Sequence, residues 1–306
     1  MRGRAVAYCV LPTAYCYVMP ELPEVETIRR QLEPAITGSR IDGVTVLDER
    51  WTRPVAPLLV EEALAGRTIE AVERRGKYLL LRLDAGRTLA MHLRMTGNLL
   101  LDRDSIEPAY LRAVVDLGPA GRLLFTDARR FGHAAVIEDA ELESYFATRL
   151  GLEPLSGALT AEALCRLAAG RRAPLKSFLL NQLGVAGVGN IYADEALHRA
   201  ALHPLSPAGS MKPEDCERLR QGIVEALEAG LRSGGASIDD YRDARGEQGA
   251  MQDEFLVHTR EGKPCLRCGA AIQRTVVAGR STYFCPSCQR RLRRRPRRRG
   301  RTRVAK

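Results

Sequence analysis

No run of about 18 uninterrupted apolar residues occurs in the 306 residues, so the sequence gives no support for a membrane-spanning helix. The first eighteen residues, MRGRAVAYCVLPTAYCYV, lack the unbroken hydrophobic centre of a secretory signal, because Pro12 and Tyr15 interrupt it. Acidic residues are missing from the last seventeen positions: 290–306 hold ten Arg, one Lys and no Asp or Glu. Such a block buries no apolar area and repels itself. It predicts a disordered tail that holds polyanions by releasing their counterions. Setting the tail's +11 aside from the whole chain's +10 leaves a body of −1, so any basic surface there must come from placement. The glycine-rich stretch GVAGVGNIY (184–192) lacks the Lys-Ser/Thr of a nucleotide-binding loop and follows a helical pattern, not a strand, which disfavours that function.

What is present points to two core-forming domains and a small appendage. Four of the eight cysteines form CLRC (Cys265, Cys268) and CPSC (Cys285, Cys288), with sixteen residues between the pairs. That spacing lets four thiolates converge on one Zn²⁺, and zinc is preferred to disulfides because nothing marks secretion. Cys165 falls in an apolar helical pattern and reads as ordinary core, while Cys216 on a charged helix reads as inert. Val25, Ile28, Leu32 and Ile36 have helical spacing behind Pro23. Seven short β-rich runs follow, from RIDGVTVLD to HAAVIED, and predict a β-sandwich through about residue 138. Beyond a Pro- and Gly-bearing linker the periodicity turns helical in TAEALCRLAAG, APLKSFLLNQ, NIYADEALHRA and KPEDCERLRQGIVEALEAGLRS. The polar segment SIDDYRDARGEQGAMQDEFLVH reads as a long mobile loop ahead of a zinc-holding hairpin.

Six motifs in order, MPELPEVET, GKYLLL, MHLRMTG, DARRFG, GVGNIYADEAL and GRSTYFCPSC, resemble those of formamidopyrimidine-DNA glycosylases, over roughly residues 19–289. The resemblance implies an α+β multidomain chain. A catalytic β-sandwich with flanking helices would span 19–150, a helix–two-turn–helix domain 151–255 and a β-hairpin zinc finger 256–289. Residues 1–18 are then an extension ahead of the protein's own start, and 290–306 the arginine-rich tail. The implied protein is a monomeric bacterial enzyme of the cytoplasm and nucleoid. It would act on damaged double-stranded DNA as a glycosylase with abasic-site lyase activity, and carry one structural Zn²⁺.

The resemblance also implies roles. Pro20, once N-terminal, offers a secondary amine whose pKa lies near neutrality and which attacks C1′ of the sugar. Glu21 supplies general acid–base chemistry beside it, or complements a helix dipole, or both. Lys77 is a phosphate or lesion contact and proton donor, and Arg280 on the finger hairpin serves the same centre. Met95, Arg129 and Phe131 match residues that fill the gap left by an extruded base, Arg129 bonding the orphaned cytosine. Arg130 is assigned to phosphate, as are Arg171, Lys176, Asn190 and the backbone N–H groups of the glycine-rich turn. The sequence departs from the family pattern at Ala128, where Pro is common, at Tyr110, near a usual DNA-contacting His, and at GEQGAM, which lacks a frequent aromatic. Two rival readings stand beside this one. One is an endonuclease VIII-like enzyme for oxidised pyrimidines, against which PELPEVE and the three wedge residues argue. The other is a non-catalytic damaged-DNA-binding protein whose Pro20 is blocked by the extension.

Overall fold

The first helix, α1 (Leu22–Ile36), starts at a proline within its first turn, where a missing N–H costs nothing, and buries Val25, Ile28, Leu32 and Ile36 completely. The computed structural model describes residues 19–104, 107–238 and 240–293, so the extension 1–18 and most of the tail fall outside the described residues. After α1 the chain forms β1 (Gly43–Val46), α2 (Pro57–Leu64), β2 (Ile69–Arg75), β3 (Tyr78–Leu83), β4 (Arg87–His92), β5 (Gly97–Asp102), β6 (Leu111–Asp116), β7 (Arg122–Asp127) and β8 (His133–Glu138). Two antiparallel four-stranded sheets result, ordered β1-β6-β7-β5 and β2-β3-β4-β8. Their inner faces enclose Trp51, Leu81, Leu89, Val115 and Phe125, with the Trp51 and Phe125 rings 5.4 Å apart. Strand β5 and helix α2 were not anticipated. GNLLLD is apolar on successive residues because it is buried along most of its length, which erases the alternation that marks a one-sided strand.

Helix α3 (Asp139–Ala147) closes the sandwich, and α4 (Ala161–Ala168), α5 (Leu175–Leu180), α6 (Asn190–Arg199) and α7 (Pro213–Arg232) build a second core. Leu22 belongs to that helical core, while Val25, one turn on, belongs to the sandwich core. The first turn of α1 therefore lies at the seam between domains. Strands β9 (Gln273–Val277) and β10 (Arg280–Phe284) form the terminal hairpin over a small cluster of Val257, Ile272 and Tyr283. No helix among the described residues is long and apolar enough to cross a membrane.

Two expectations need correction. The polar segment after α7 is packed into the structure instead of forming a long loop free of it: Tyr241 and Ala244 are buried in the sandwich core. The Tyr241 hydroxyl donates to Glu24 O, Gln31 Nε2 donates to Asp243 Oδ2 at 2.6 Å, and Arg242 N donates to Asn98 Oδ1 at 2.8 Å. Polar composition misled because these polar groups satisfy one another across the seam. The tail also begins later than residue 290, since Leu292 packs on the helical core and its N–H donates to Ser206 Oγ at 2.9 Å.

Candidate active site and nucleic-acid interface

Pro20 and Glu21 lie just ahead of α1, both buried, at the seam. The Glu21 carboxylate reaches across it to the start of α6: Oε2 accepts from Gly189 N at 2.6 Å and Oε1 from Ile191 N at 2.9 Å, with Tyr192 N more distant at 3.4 Å. An acidic side chain at a helix N-terminus satisfies orphan donors and favours the dipole. Lys77, in the tight turn after Gly76 (φ 57°), enters the same place from the sandwich. A Cβ placed on Gly189 would lie 2.4 Å from Glu21 Cδ, 2.6 Å from its Oε1 and 2.6 Å from Lys77 Nζ. Only glycine leaves room for this meeting.

These groups border a cavity of about 230 Å³, completed by Met19, His92, Arg94, Leu180, Gln182, Asn190 and Arg280. Burial holds the Lys77 ammonium below the ordinary lysine range, although the carboxylates of Glu21 and Glu24 oppose that shift. Glu24, fully buried behind Glu21, has its carboxyl pushed up to about 7, chiefly by burial and then by the charge of Glu21. It accepts from Tyr192 Oη at 2.7 Å, Ala236 N at 2.7 Å and Glu21 N at 2.8 Å. His92 stays neutral, burial and the neighbouring Arg94 driving its pKa well below the usual value.

A second cluster sits where strands pass from one sheet to the other. The β4–β5 turn carries Met95, half-buried, and the β7–β8 turn carries Arg129, Arg130 and Phe131. Asp127 ties the two turns together: it accepts from Thr96 Oγ1, from Arg129 N at 3.1 Å and from Gly132 N at 2.7 Å. Phe131 is 51% exposed, and the guanidinium of half-buried Arg129 lies 4.9 Å from its ring centroid, a cation–π pair. Tyr110, 60% exposed, precedes β6 with a left-handed φ of 61°.

In the finger, the four sulfurs of Cys265, Cys268, Cys285 and Cys288 lie within 4.8 Å of one another. Cys268 Sγ is 3.4 Å from Cys285 Sγ and Cys265 Sγ is 3.9 Å from Cys288 Sγ, close to the edge of about 3.8 Å expected for four thiolates around zinc at about 2.3 Å. The residues fit a structural Zn²⁺ with no position left open for chemistry. Gln289 docks the finger on the helical domain, accepting from Cys285 N and donating to Leu202 O at 2.9 Å.

Family models match residues 19–134 as the formamidopyrimidine-DNA glycosylase N-terminal domain, 150–242 as its H2TH domain and 262–291 as the zinc finger found in FPG and IleRS. The formamidopyrimidine-DNA glycosylase of Chloroflexus aurantiacus is 45% identical over 274 residues, covering 89% of this chain and 98% of the relative. The chain belongs to the formamidopyrimidine-DNA glycosylase family. Among solved structures, MutM (FPG) from Thermus thermophilus matches at 41% identity and a TM-score of 0.80, over 88% of this chain and 98% of that one. The Lactococcus lactis Fpg complex with abasic-site DNA matches at 35% identity and 0.83, over 89% and 100%. The chain is thus a zinc-bearing DNA glycosylase with abasic-site lyase activity that acts on damaged DNA.

Within this family frame the geometry departs from several sequence-based assignments. Lys176 is fully buried and donates to Asp194 Oδ1 at 2.6 Å and Asn190 O at 2.7 Å, so it props α6 from inside and has no surface to offer phosphate. Arg130, with φ 61°, turns to Asp48 and binds both of its oxygens, holding that carboxyl down at about 2. Three N–H groups of the glycine-rich turn and the helix start after it are already taken inside the protein: Gly189 and Ile191 donate to Glu21, and Gly187 to Gln182 Oε1. Asn190 remains at the cavity edge, while Arg171 stands exposed in the turn after α4. Cys165 and Cys216, read as core and inert, are joined in a disulfide between α4 and α7. Their 51-residue separation hides the pairing, and their helical pattern supplies a complete alternative explanation. Sequence reasoning also missed Glu24, His92, Arg94 and Asp127; only Glu24 carried a signal, as the third residue of a capping box.

Proposed function

We propose that this glycosylase removes oxidised purines, 8-oxoguanine and formamidopyrimidines, from duplex DNA through an imine on the Pro20 nitrogen, and then cleaves the abasic site by β,δ-elimination. The observation that carries the proposal is the meeting of Glu21, Lys77 and Gly189 in the lining of one cavity, with Pro20 the residue before Glu21 in the chain. Attack of the proline nitrogen on C1′ displaces the base, which leaves with a proton. Because the amine is secondary, opening the sugar ring gives a cationic iminium, and that electron sink acidifies the C2′ proton. Glu21, fixed by backbone amides, is assigned the proton transfer at the sugar ring oxygen. Lys77, whose ammonium burial makes easier to deprotonate, exchanges protons during elimination. The chemistry needs Pro20 at the terminus, since a preceding residue makes its nitrogen an amide without a usable lone pair.

Arg280, from the finger, and Asn190, from α6, are proposed to hold the phosphates flanking the lesion, with Arg171 and Tyr110 on outlying DNA. Met95, Arg129 and Phe131 would fill the vacated stack, and the two turns joined by Asp127 hold them as one unit. The enzyme works as a monomer in the bacterial cytoplasm at the nucleoid, and the arginine tail adds salt-sensitive attraction to DNA. The test is excision from matched duplexes carrying 8-oxoguanine or an oxidised pyrimidine, with the strand ends identified by mass. Preference for the purine and phosphate at both ends of the gap support the proposal. Preference for the pyrimidine returns the endonuclease VIII-like reading, and tight binding without excision returns the non-catalytic one.

A further inference from the structure

Helix α4 packs one apolar face on the helical core and is also bonded covalently to α7. It has eight residues, it buries Leu164 and Ala168 in the helical core with Leu167 packed beside them, and open clefts of about 420 Å³ flank it on both sides. One cleft lies between the linker, α4 and α7, lined by Leu159, Glu162 and Val224; the other is lined by Leu152, Leu167 and Arg171. Between them Cys165 is bonded to Cys216 in the first turn of α7, with Cα atoms 5.7 Å apart. The Cys165 side is partly open to solvent, whereas Cys216 is fully buried.

We infer that Cys165 and Cys216 form a reversible redox staple that fixes α4 to α7 when oxidised and lets α4 open locally when reduced. Oxidation joins the two thiols with loss of two protons and two electrons, which a low-molecular-weight disulfide takes up as it becomes two thiols. In the reverse direction a thiolate attacks the accessible Cys165 sulfur and expels the Cys216 thiolate, which the N-terminal turn of α7 helps to stabilise; a second thiolate then releases Cys165. The bond ties the middle of α4 to the folded first turn of α7, so local opening of α4 is restricted while the bond is in place. Arg171 follows α4 directly, so the staple also stiffens that turn.

The experiment compares hydrogen exchange of residues 161–168 in the full zinc-loaded protein after glutathione disulfide and after a reducing thiol. Peptide mass and alkylation report the 165–216 link, and metal analysis confirms that the finger thiolates keep their zinc. The expected result is a linked peptide after the disulfide treatment, two alkylated thiols after reduction, and α4 amides exchanging at least about tenfold faster in the reduced form. Cys165→Ser, or Cys216→Ala if the first folds poorly, should exchange at the reduced rate under both treatments. Two freely alkylated thiols after glutathione disulfide, or equal α4 exchange with and without a verified bond, would overturn the inference.

Discussion

Replacing Gly189 by Ala tests whether the meeting of Glu21 and Lys77 is the seat of the chemistry. The backbone there has φ −127°, an extended conformation any residue adopts, so Gly189→Ala introduces no dihedral strain. Its methyl, however, arrives 2.4 Å from Glu21 Cδ and 2.6 Å from Lys77 Nζ, where ordinary contact begins at 3.4 Å. Relief requires the carboxyl and the ammonium to retreat by up to about 1 Å, and Glu21 then loses good geometry to Gly189 N and Ile191 N. A misplacement of that size costs on the order of 100-fold in rate, about 2.7 kcal/mol of barrier. Single-turnover excision and lyase rates, measured at saturating enzyme, should fall by that order while DNA binding stays within a few fold. Gly43→Ala is the control, because a Cβ on Gly43 meets nothing within 4 Å. An unchanged single-turnover rate for Gly189→Ala, with the carboxyl verified as crowded by a crystal structure, would refute the assignment.

Three further outcomes follow from the geometry. Cys288→Ser should lower bound zinc below one equivalent and weaken DNA binding at least tenfold, because the thiolate cluster fixes the hairpin carrying Arg280; metal analysis with a binding titration checks both, and full retention of either contradicts it. Arg129→Ala should reduce discrimination for cytosine opposite 8-oxoguanine by about 1–3 kcal/mol, yet leave abasic-site binding nearly intact, whereas equal losses on both duplexes would make Arg129 a general phosphate contact. Glu24 carries a carboxyl raised from 4.5 to about 7, so the folded state binds the proton more tightly than the unfolded one. Its contribution is fully favourable below pH 4.5 and declines as pH rises to about 7, by up to about 3 kcal/mol. Denaturant unfolding between pH 5 and 8 should show that decline in the wild type and a flatter profile in Glu24→Gln; parallel profiles would sink the assignment.

Much of the architecture was legible because it is written in local patterns. The α1 stripe, the strand runs and the paired CxxC turns each announce themselves within a few residues. What escaped is non-local. Lys176 looks like any exposed helical lysine until α6 supplies Asp194 eighteen positions away. Arg130 and Asp48 are 82 residues apart, and Glu21 meets the α6 amides across about 170, so no window reveals that these donors and acceptors are already taken. The polar stretch after α7 shows the same limit: its backbone amides look solvated until the side chains of Asn98 and Gln31 are brought to Arg242 N and Ala244 N. Motif resemblance named Glu21, Lys77, Asn190 and Arg280 of the cavity lining, but it was silent on His92 and Arg94 and on which groups face inward to hold the others.

The most direct test of the account is imine trapping with borohydride on duplex DNA containing 8-oxoguanine, using two proteins whose N-termini are fixed by intact mass. Protein beginning at Pro20 should form a stable covalent adduct with DNA, mapped to the Pro20 nitrogen, and should nick the strand. Protein verified to carry residues ahead of Pro20 should bind the same duplex and form no adduct. Comparable trapping by both proteins, or an adduct mapped to Lys77, would contradict the claim that the proline nitrogen is the nucleophile.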